Sequence, residues 1–272
     1  VHDYVDGRFN DGNLHIVDDM SVRMPNVLNS GLAYFNGFWH LDPAGCRCFG
    51  SIGALEYSAN SIAFRHAKPF FIRLRERLKE NRSSRYKQTR RKTELPDGSI
   101  AVFFQGDYPR KAGATAFDDL SMLRDVLQGA GDRKVVVKPH PKVTALGEIA
   151  VLCAMAAEDP RIVVTDANIH DILEASCVSV SINSAVSLEG FLHRTPAVLY
   201  GLADFHHFCE TVSGPGQFAE TLERAMQRTG GYAQYLTWYL RRNCLRINAP
   251  DLEAKIWKIF AEAGFPPERF RC

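Results

Sequence analysis

From residue 99 onward the apolar and polar positions change period repeatedly. SIAVFFQ (99–105) reads as a strand. AFDDLSMLRDVLQGAG (116–131) then carries apolar residues at helical spacing and stops at glycine, and KVVVKPHP (134–141) returns to a strand. The alternation continues with a helix at 143–158, a strand at 161–167, a short helix at 168–176, a strand at 177–183, a helix at 184–194 and a strand at 196–201. Five strands alternating with four helices predict right-handed βαβ crossovers and one parallel sheet, an α/β fold. Beyond Gly201 the pattern is helical, at 216–228, 232–245 and 249–264. Before residue 95, glycines, aromatics and turn residues predict strands and loops, with one helix from about Ser61 to Asn81.

Composition narrows the class. With 46% hydrophobic residues in 272, the chain can bury a substantial core, and no apolar run approaches the roughly 18 residues that a membrane-spanning helix needs. Seven cysteines without CxxC spacing read as reduced thiols, which places the chain in a cytoplasm. His206, His207 and Cys209 form an HHxC run with no second cluster, so no metal site is assigned. The net charge is only +2, but residues 73–92 hold ten Lys or Arg against Glu76 and Glu80, and the rest of the chain is acidic. Next to Phe70, Phe71, Ile72, Leu74 and Leu78, this basic stripe suits peripheral contact with an anionic membrane; a solvated helix followed by a mobile linker fits it equally. No nucleic-acid-binding signature accompanies it.

The chemistry gathers at the carboxyl ends of the predicted strands, where open α/β sheets bind ligands. These ends bring together Gln105-Gly106-Asp107, Lys138 to Pro141, Asp166 to His170 (with Asn168 between), Asn183-Ser184 and Tyr200-Gly201. Asn183 and Ser184 open a helix whose first turn holds Ser187, a favourable place for a phosphate, and His140 and Lys138 offer further donors. Ordinary N-capping explains Asn183 and Ser184 as well. A rigid strand exit between Pro139 and Pro141 likewise explains His140 without a ligand. Glu189 suits either ribose hydroxyls or a plain surface position. GxGxxG, GxxxxGK[ST] and D-x-D motifs are all absent, which leaves a metal-free site for a phosphorylated ligand.

KPHP at a strand end followed by NIHDILEASCVSVSINSAVSLEGFLHRTPAVLYG resembles bacterial capsule polysaccharide biosynthesis proteins, the group that includes the retaining β-Kdo transferases. The likeness covers residues 99–205, and FNGFWHLDPAGCRCFGSI and NRSSRYKQ are similar to upstream segments of that group. It implies a Rossmann-like parallel-sheet lobe of GT-B type over 96–210, an acceptor-side lobe over 1–95 that is reduced or incomplete, and carboxyl-terminal helices over 211–272 packing across both. It implies a glycosyltransferase without a cofactor, taking CMP-Kdo as donor and a glycolipid or polysaccharide as acceptor, at the inner face of the cell membrane. His140 would meet the nucleotide phosphate, with Gln105, Lys138, Pro141, Asn168, His170, Asn183, Ser184, Ser187 and Glu189 around the nucleotide sugar. An aspartate after the Gln-containing strand would be the nucleophile; Asp107 is the candidate, with Asp118 and Asp119 as alternatives that also read as first-turn helix carboxylates. Three further readings stay open: transfer of CDP-glycerol, transfer of a UDP-sugar, and a non-catalytic nucleotide-sugar-binding or export subunit.

Overall fold

A computed structural model describes residue 9, residues 11–18 and residues 21–270. The chain divides into two compact units: 1–62 with 203–207 and 236–272, and 63–202 with 208–235. This division differs from the boundaries expected at 95/96 and 210/211. Residues 63–95 pack with the parallel sheet, because the helix and basic segment there find their partners on it.

The first unit begins with β1 (His15–Val17), β2 (Val27–Leu32) and β3 (Phe38–Asp42). β1 runs parallel to β2, and β2 antiparallel to β3. The second unit opens with α1 (Phe64–Arg75), which buries Ala67, Phe70, Phe71 and Leu74 and widens into a π-helical turn over Glu76–Glu80. Then come β4 (Ser99–Phe103), α2 (Tyr108–Lys111), α3 (Asp119–Gly129), β5 (Val135–Lys138), α4 (Leu146–Glu158), β6 (Ile162–Val164), α5 (Ile169–Ala175), β7 (Ser176–Ser181), α6 (Val186–His193) and β8 (Ala197–Leu199). β9 (Glu210–Thr211), α7 (Phe218–Met226) and α8 (Tyr232–Leu236) complete it. The first unit closes with a π-helical stretch over Thr237–Arg242, β10 (Leu245–Arg246), which pairs antiparallel with β3, and α9 (Leu252–Glu262). The five predicted strands are β4 to β8; the two-residue β9 was too short to leave a periodic signal.

All pairings in the six-stranded sheet are parallel, in the order β6-β5-β4-β7-β8-β9. The chain moves outward from β4 through β5 to β6, then returns to β7 on the other side of β4, so the direction of winding reverses between β4 and β7. Side-chain alternation feeds two cores. Ile100, Val102, Val135 and Val137 pack with Met122, Leu123 and Val126 of α3, Leu152 of α4 and Phe218 and Leu222 of α7. Ala101, Phe103 and Val136 pack on the opposite face with Ile169, Ile172 and Leu173 of α5 and Val186 of α6. That double coverage explains why these strands read as continuous apolar runs.

In the first unit a buried carboxylate organises the aromatic core. Asp204 accepts hydrogen bonds from the hydroxyls of Tyr34 at 2.9 Å and Tyr239 at 2.7 Å, and His40 Nε2 lies 3.6 Å away. Burial pushes its carboxyl up to about 7. Tyr34 is held at φ +64°, a left-handed conformation that an aromatic residue seldom adopts.

Gly129 gives a test of how closely the second unit is packed. A Cβ there would lie 2.7 Å from the Ala219 backbone nitrogen at the start of α7. Helix propensity alone favours Gly129→Ala by about 1 kcal/mol. The contact with backbone should reverse that sign and cost about 1–3 kcal/mol in urea unfolding. A more stable variant would contradict the close approach of α3 and α7.

Candidate active site at the strand ends of the second unit

The register fixes which residues share the rim. Phe103 of β4 pairs with Lys138 of β5 on one side and with Ser181 of β7 on the other. Gln105, His140 and Asn183 each lie two residues past those partners, so all three stand level across the sheet where the winding reverses. Gln105 and Asn183 bridge that point reciprocally: Gln105 Nε2 donates to Asn183 Oδ1 at 3.0 Å, and the Asn183 backbone N–H donates to Gln105 Oε1 at 2.8 Å. Asn183 Nδ2 also donates to the Leu202 carbonyl. Both amides are thereby spent on bracing the rim.

Asp119 holds the loop that carries Gln105. Its buried carboxylate accepts the Gln105 N–H at 2.9 and 3.0 Å and the Gly106 N–H at 2.6 Å. Burial pushes this carboxyl up to about 7 against the pull of those two N–H groups. Gly106 is required here: its φ is +68°, and a Cβ would meet the Val143 carbonyl oxygen at 2.9 Å. The loops after β4 and β5 therefore touch. Asp118 serves α3, accepting the Ser121 N–H at 2.7 Å while its own N–H donates to Ser121 Oγ, a capping box. Asp107 is different. It is exposed and paired with Arg110 at 2.8 Å and Lys111 at 3.5 Å, and the Arg110 hydrogen bonds hold its carboxyl below the usual range.

His140 is half-buried after β5. Its backbone N–H donates to Thr144 Oγ1 at 2.7 Å, and its Nδ1 accepts the Lys142 N–H at 3.1 Å. An Nδ1 that accepts puts the proton on Nε2, which is left able to donate. Burial, then Arg85 and Lys142, lowers its pKa, so the ring is neutral at neutral pH. Pro141 beside it is exposed. Lys138 points elsewhere: its Nζ donates to the carbonyls of Asp166 at 2.9 Å and Ala167 at 2.7 Å, tying β5 to the loop after β6.

At the start of α6, Ser184 N–H donates to Ser181 Oγ, and Ser184 Oγ accepts the Val186 N–H at 3.3 Å, which leaves the half-exposed Ser184 hydroxyl hydrogen able to donate. Ser187 is fully buried with its Oγ 3.5 Å from Ser181 Oγ, turned toward the strand. Glu189 is buried as well, which overturns the surface reading; burial pushes it up to about 7, and the Ser84 hydroxyl is its hydrogen-bond partner.

Ser84 belongs to the basic segment, and that segment is anchored along its length rather than being a free linker. It leaves the π-helical turn through Arg82 at φ +51°, where Ser83 N–H reaches the Leu78 carbonyl and Arg82 N–H the Lys79 carbonyl, a Schellman closure with arginine in the usual place of glycine. The Arg82 guanidinium pairs with both oxygens of buried Asp171. Burial alone would raise the Asp171 carboxyl, but Arg82 and the Thr93 N–H keep it below its ordinary value. His170 Nε2 donates to the Ser83 carbonyl at 3.0 Å, so its Nδ1 accepts from His193 Nε2 at 2.9 Å. Asn168 caps α5 through the His170 N–H and donates to the Thr89 carbonyl, while Gln88 Oε1 accepts the Ile169 N–H. Asn168, His170 and Glu189 thus hold a strap, residues 81–93, whose Tyr86 ring meets the His140 ring edge-on at 4.9 Å. Sequence reasoning missed this role for Asp171 and the strap, because the partners lie 78 to 89 residues apart.

The rim therefore combines a braced floor (Gln105, Asn183), two free donors (His140 Nε2 and the Ser184 hydroxyl), an anionic Asp107 and a basic aromatic strap. Residues 97–224, which span the sheet from β4 to β9, match the capsule polysaccharide biosynthesis protein family. No curated protein matches this chain by sequence. Among solved structures, the beta Kdo 2,7 transferase of Thermosulfurimonas dismutans KpsC aligns with a TM-score of 0.52 at 16% identity, over 87% of this chain and 78% of that one. The beta Kdo 2,4 transferase of the same KpsC gives 0.47 at 15%, over 77% and 70%. A UDP-GlcNAc 2-epimerase of Methanocaldococcus jannaschii gives 0.39 at 9%, over 65% and 48%. The likeness to the 2,7 transferase is one of fold, that of a GT-B glycosyltransferase. Among the described residues no helix is long and apolar enough to cross a membrane.

The strap anchors can be tested through Asp171. Asp171→Ala leaves Arg82 without its partner and should cost about 2–3 kcal/mol, less than a fully buried pair because Arg82 is partly exposed. Trypsin should then cut early within Arg85 to Lys92, detected by mass spectrometry of the fragments. Because the Asp171 pKa is lowered on folding, its contribution is present above the ordinary carboxylate pKa and is lost as pH falls through the lowered value. Trypsin resistance like that of the parent would show that the strap is held by other means.

Proposed function

We propose that the second unit binds a CMP-activated sugar, CMP-Kdo by resemblance, and that the protein is a retaining glycosyltransferase of capsule or surface polysaccharide synthesis. What supports this reading is that His140 and Ser184 follow β5 and β7, the two strands that flank β4 where the winding reverses, and that each keeps a hydrogen able to donate. Donors placed there suit one phosphate, whose charge grows as the sugar leaves.

In the first step the Asp107 carboxylate attacks the anomeric carbon as the bond to the phosphate oxygen breaks, and CMP departs with the electron pair. In the second, an acceptor hydroxyl on a glycolipid or polysaccharide displaces Asp107, losing its proton to a base, and retention results from the two inversions. Two observations support Asp107 over its neighbours. Asp118 is spent on the α3 cap and Asp119 on the backbone of Gln105 and Gly106, whereas the Asp107 carboxylate is ionised, exposed and held only by side chains.

CMP should raise the melting temperature more than UMP or UDP; at a hundred times Kd the stabilisation is about 2.7 kcal/mol. EDTA should leave the shift intact, and His140→Ala should weaken CMP binding by about 1.5–3 kcal/mol. A metal-dependent preference for UDP would reject the CMP reading, and a preference for CDP-glycerol would move the donor class.

Asp107→Asn keeps the shape and removes the attacking charge. Turnover should fall by orders of magnitude with little change in CMP affinity. The parent incubated with CMP-Kdo and no acceptor should gain one sugar on the peptide containing Asp107. Full activity of the variant with no adduct would eliminate the covalent route.

A further inference from the structure

Two cations beside His140 have no counterpart in the fold. Arg85, on the strap, and Lys142, on the loop after β5, lie 5.7 and 5.5 Å from the centre of the Tyr86 ring, and Tyr86 packs against His140. Other basic residues are paired: Arg82 with Asp171, Lys79 with Glu174, and Arg110 and Lys111 with Asp107. Among the described residues no carboxylate lies within 4 Å of Arg85 or Lys142. Both are exposed, and both are near enough to His140 to disfavour its protonation.

Two like charges brought to one aromatic ring repel each other, and the cost is removed when an anion arrives. Neither group reaches this place by chance of a loose chain. The strap on either side of Arg85 and Tyr86 is fixed through Arg82, Ser83, Ser84 and Gln88, and the Lys142 N–H is fixed on His140 Nδ1. The cations are therefore preorganised on two independent segments, which lowers the cost of binding.

We propose that Arg85 and Lys142, both against the Tyr86 ring that packs on His140, form a second anion subsite that selects donors carrying a negative group in addition to the nucleotide's own phosphate. The group is a carboxylate on the transferred sugar or a second phosphate; a guanidinium takes either in a two-point contact, and an ammonium adds a point charge. The subsite rests on the reading of the rim as a nucleotide-phosphate site, and it adds a reason for selectivity between donors of equal nucleotide.

Calorimetric titration of the parent, Arg85→Gln, Lys142→Gln and the double variant with CMP, CDP, CMP-sialic acid and CMP-Kdo tests this. The parent should bind one class of doubly anionic ligand more tightly than CMP. Preference for the CMP-acidic sugars identifies the carboxylate as the group held, and preference for CDP identifies a second phosphate. The double variant should keep CMP affinity within about twofold and lose about 10- to 100-fold for the preferred ligand, as expected for charge-assisted contacts. An equal loss for CMP and the other ligands would place both cations on the nucleotide phosphate and overturn the second subsite. Unchanged affinities, or a parent with no preference over CMP, would overturn it while leaving the nucleotide reading intact. A parent that fails to bind CMP at all would overturn both.

Discussion

Loops that leave neighbouring strands toward opposite faces of a sheet leave their ends without a covering strand, and something must hold them in place for a ligand to find fixed donors there. Here that constraint is met by one buried carboxylate. Asp119 gathers the N–H groups of Gln105 and Gly106, which fixes the Gln105 side chain for its two hydrogen bonds to Asn183. Through Gly106 the same loop abuts Val143, and so the turn that holds His140. Asp107, His140 and the Gln105–Asn183 brace are thereby registered to one another through the end of β4.

The sheet was legible because its signal is local. Val135, Val136 and Val137 are buried on both faces, so each strand announces itself as an apolar run with no partner information needed. The rim was legible as a set of loops but not as a set of roles. Asp118 and Asp119 both look like first-turn carboxylates, yet only Asp118 caps the helix; Asp119 turns back to a strand end fourteen residues earlier. Lys138 reads as a phosphate donor, yet its ammonium meets two carbonyls. Glu189 reads as indifferent between ribose and solvent, yet it is enclosed with Ser84. Such choices depend on which side chain arrives from a distant segment, and periodicity carries no record of that. One signal was present in hindsight: α5 buries every residue from Ile169 to Leu173, so His170 and Asp171 had to find polar partners.

Buried carboxylates do two kinds of work in this molecule. Asp171 is met by a full positive charge and stays ionised, whereas Asp119, Glu189 and Asp204 are met by neutral donors and are drawn toward the protonated form. The first kind fixes a segment that carries charge to the rim. The second kind fixes geometry with little net field.

The strap also has a history built into the chain. It is synthesised well before its anchors on α5 and α6, which follow by roughly eighty to a hundred residues in sequence. Closing such long loops carries an entropic cost that is met only when both ends have somewhere firm to dock. On the ribosome, then, residues 81–93 emerge before α5 and α6 exist to hold them. A chain arrested before α6 would carry the central strands without Glu189, the partner that holds Ser84 of the strap.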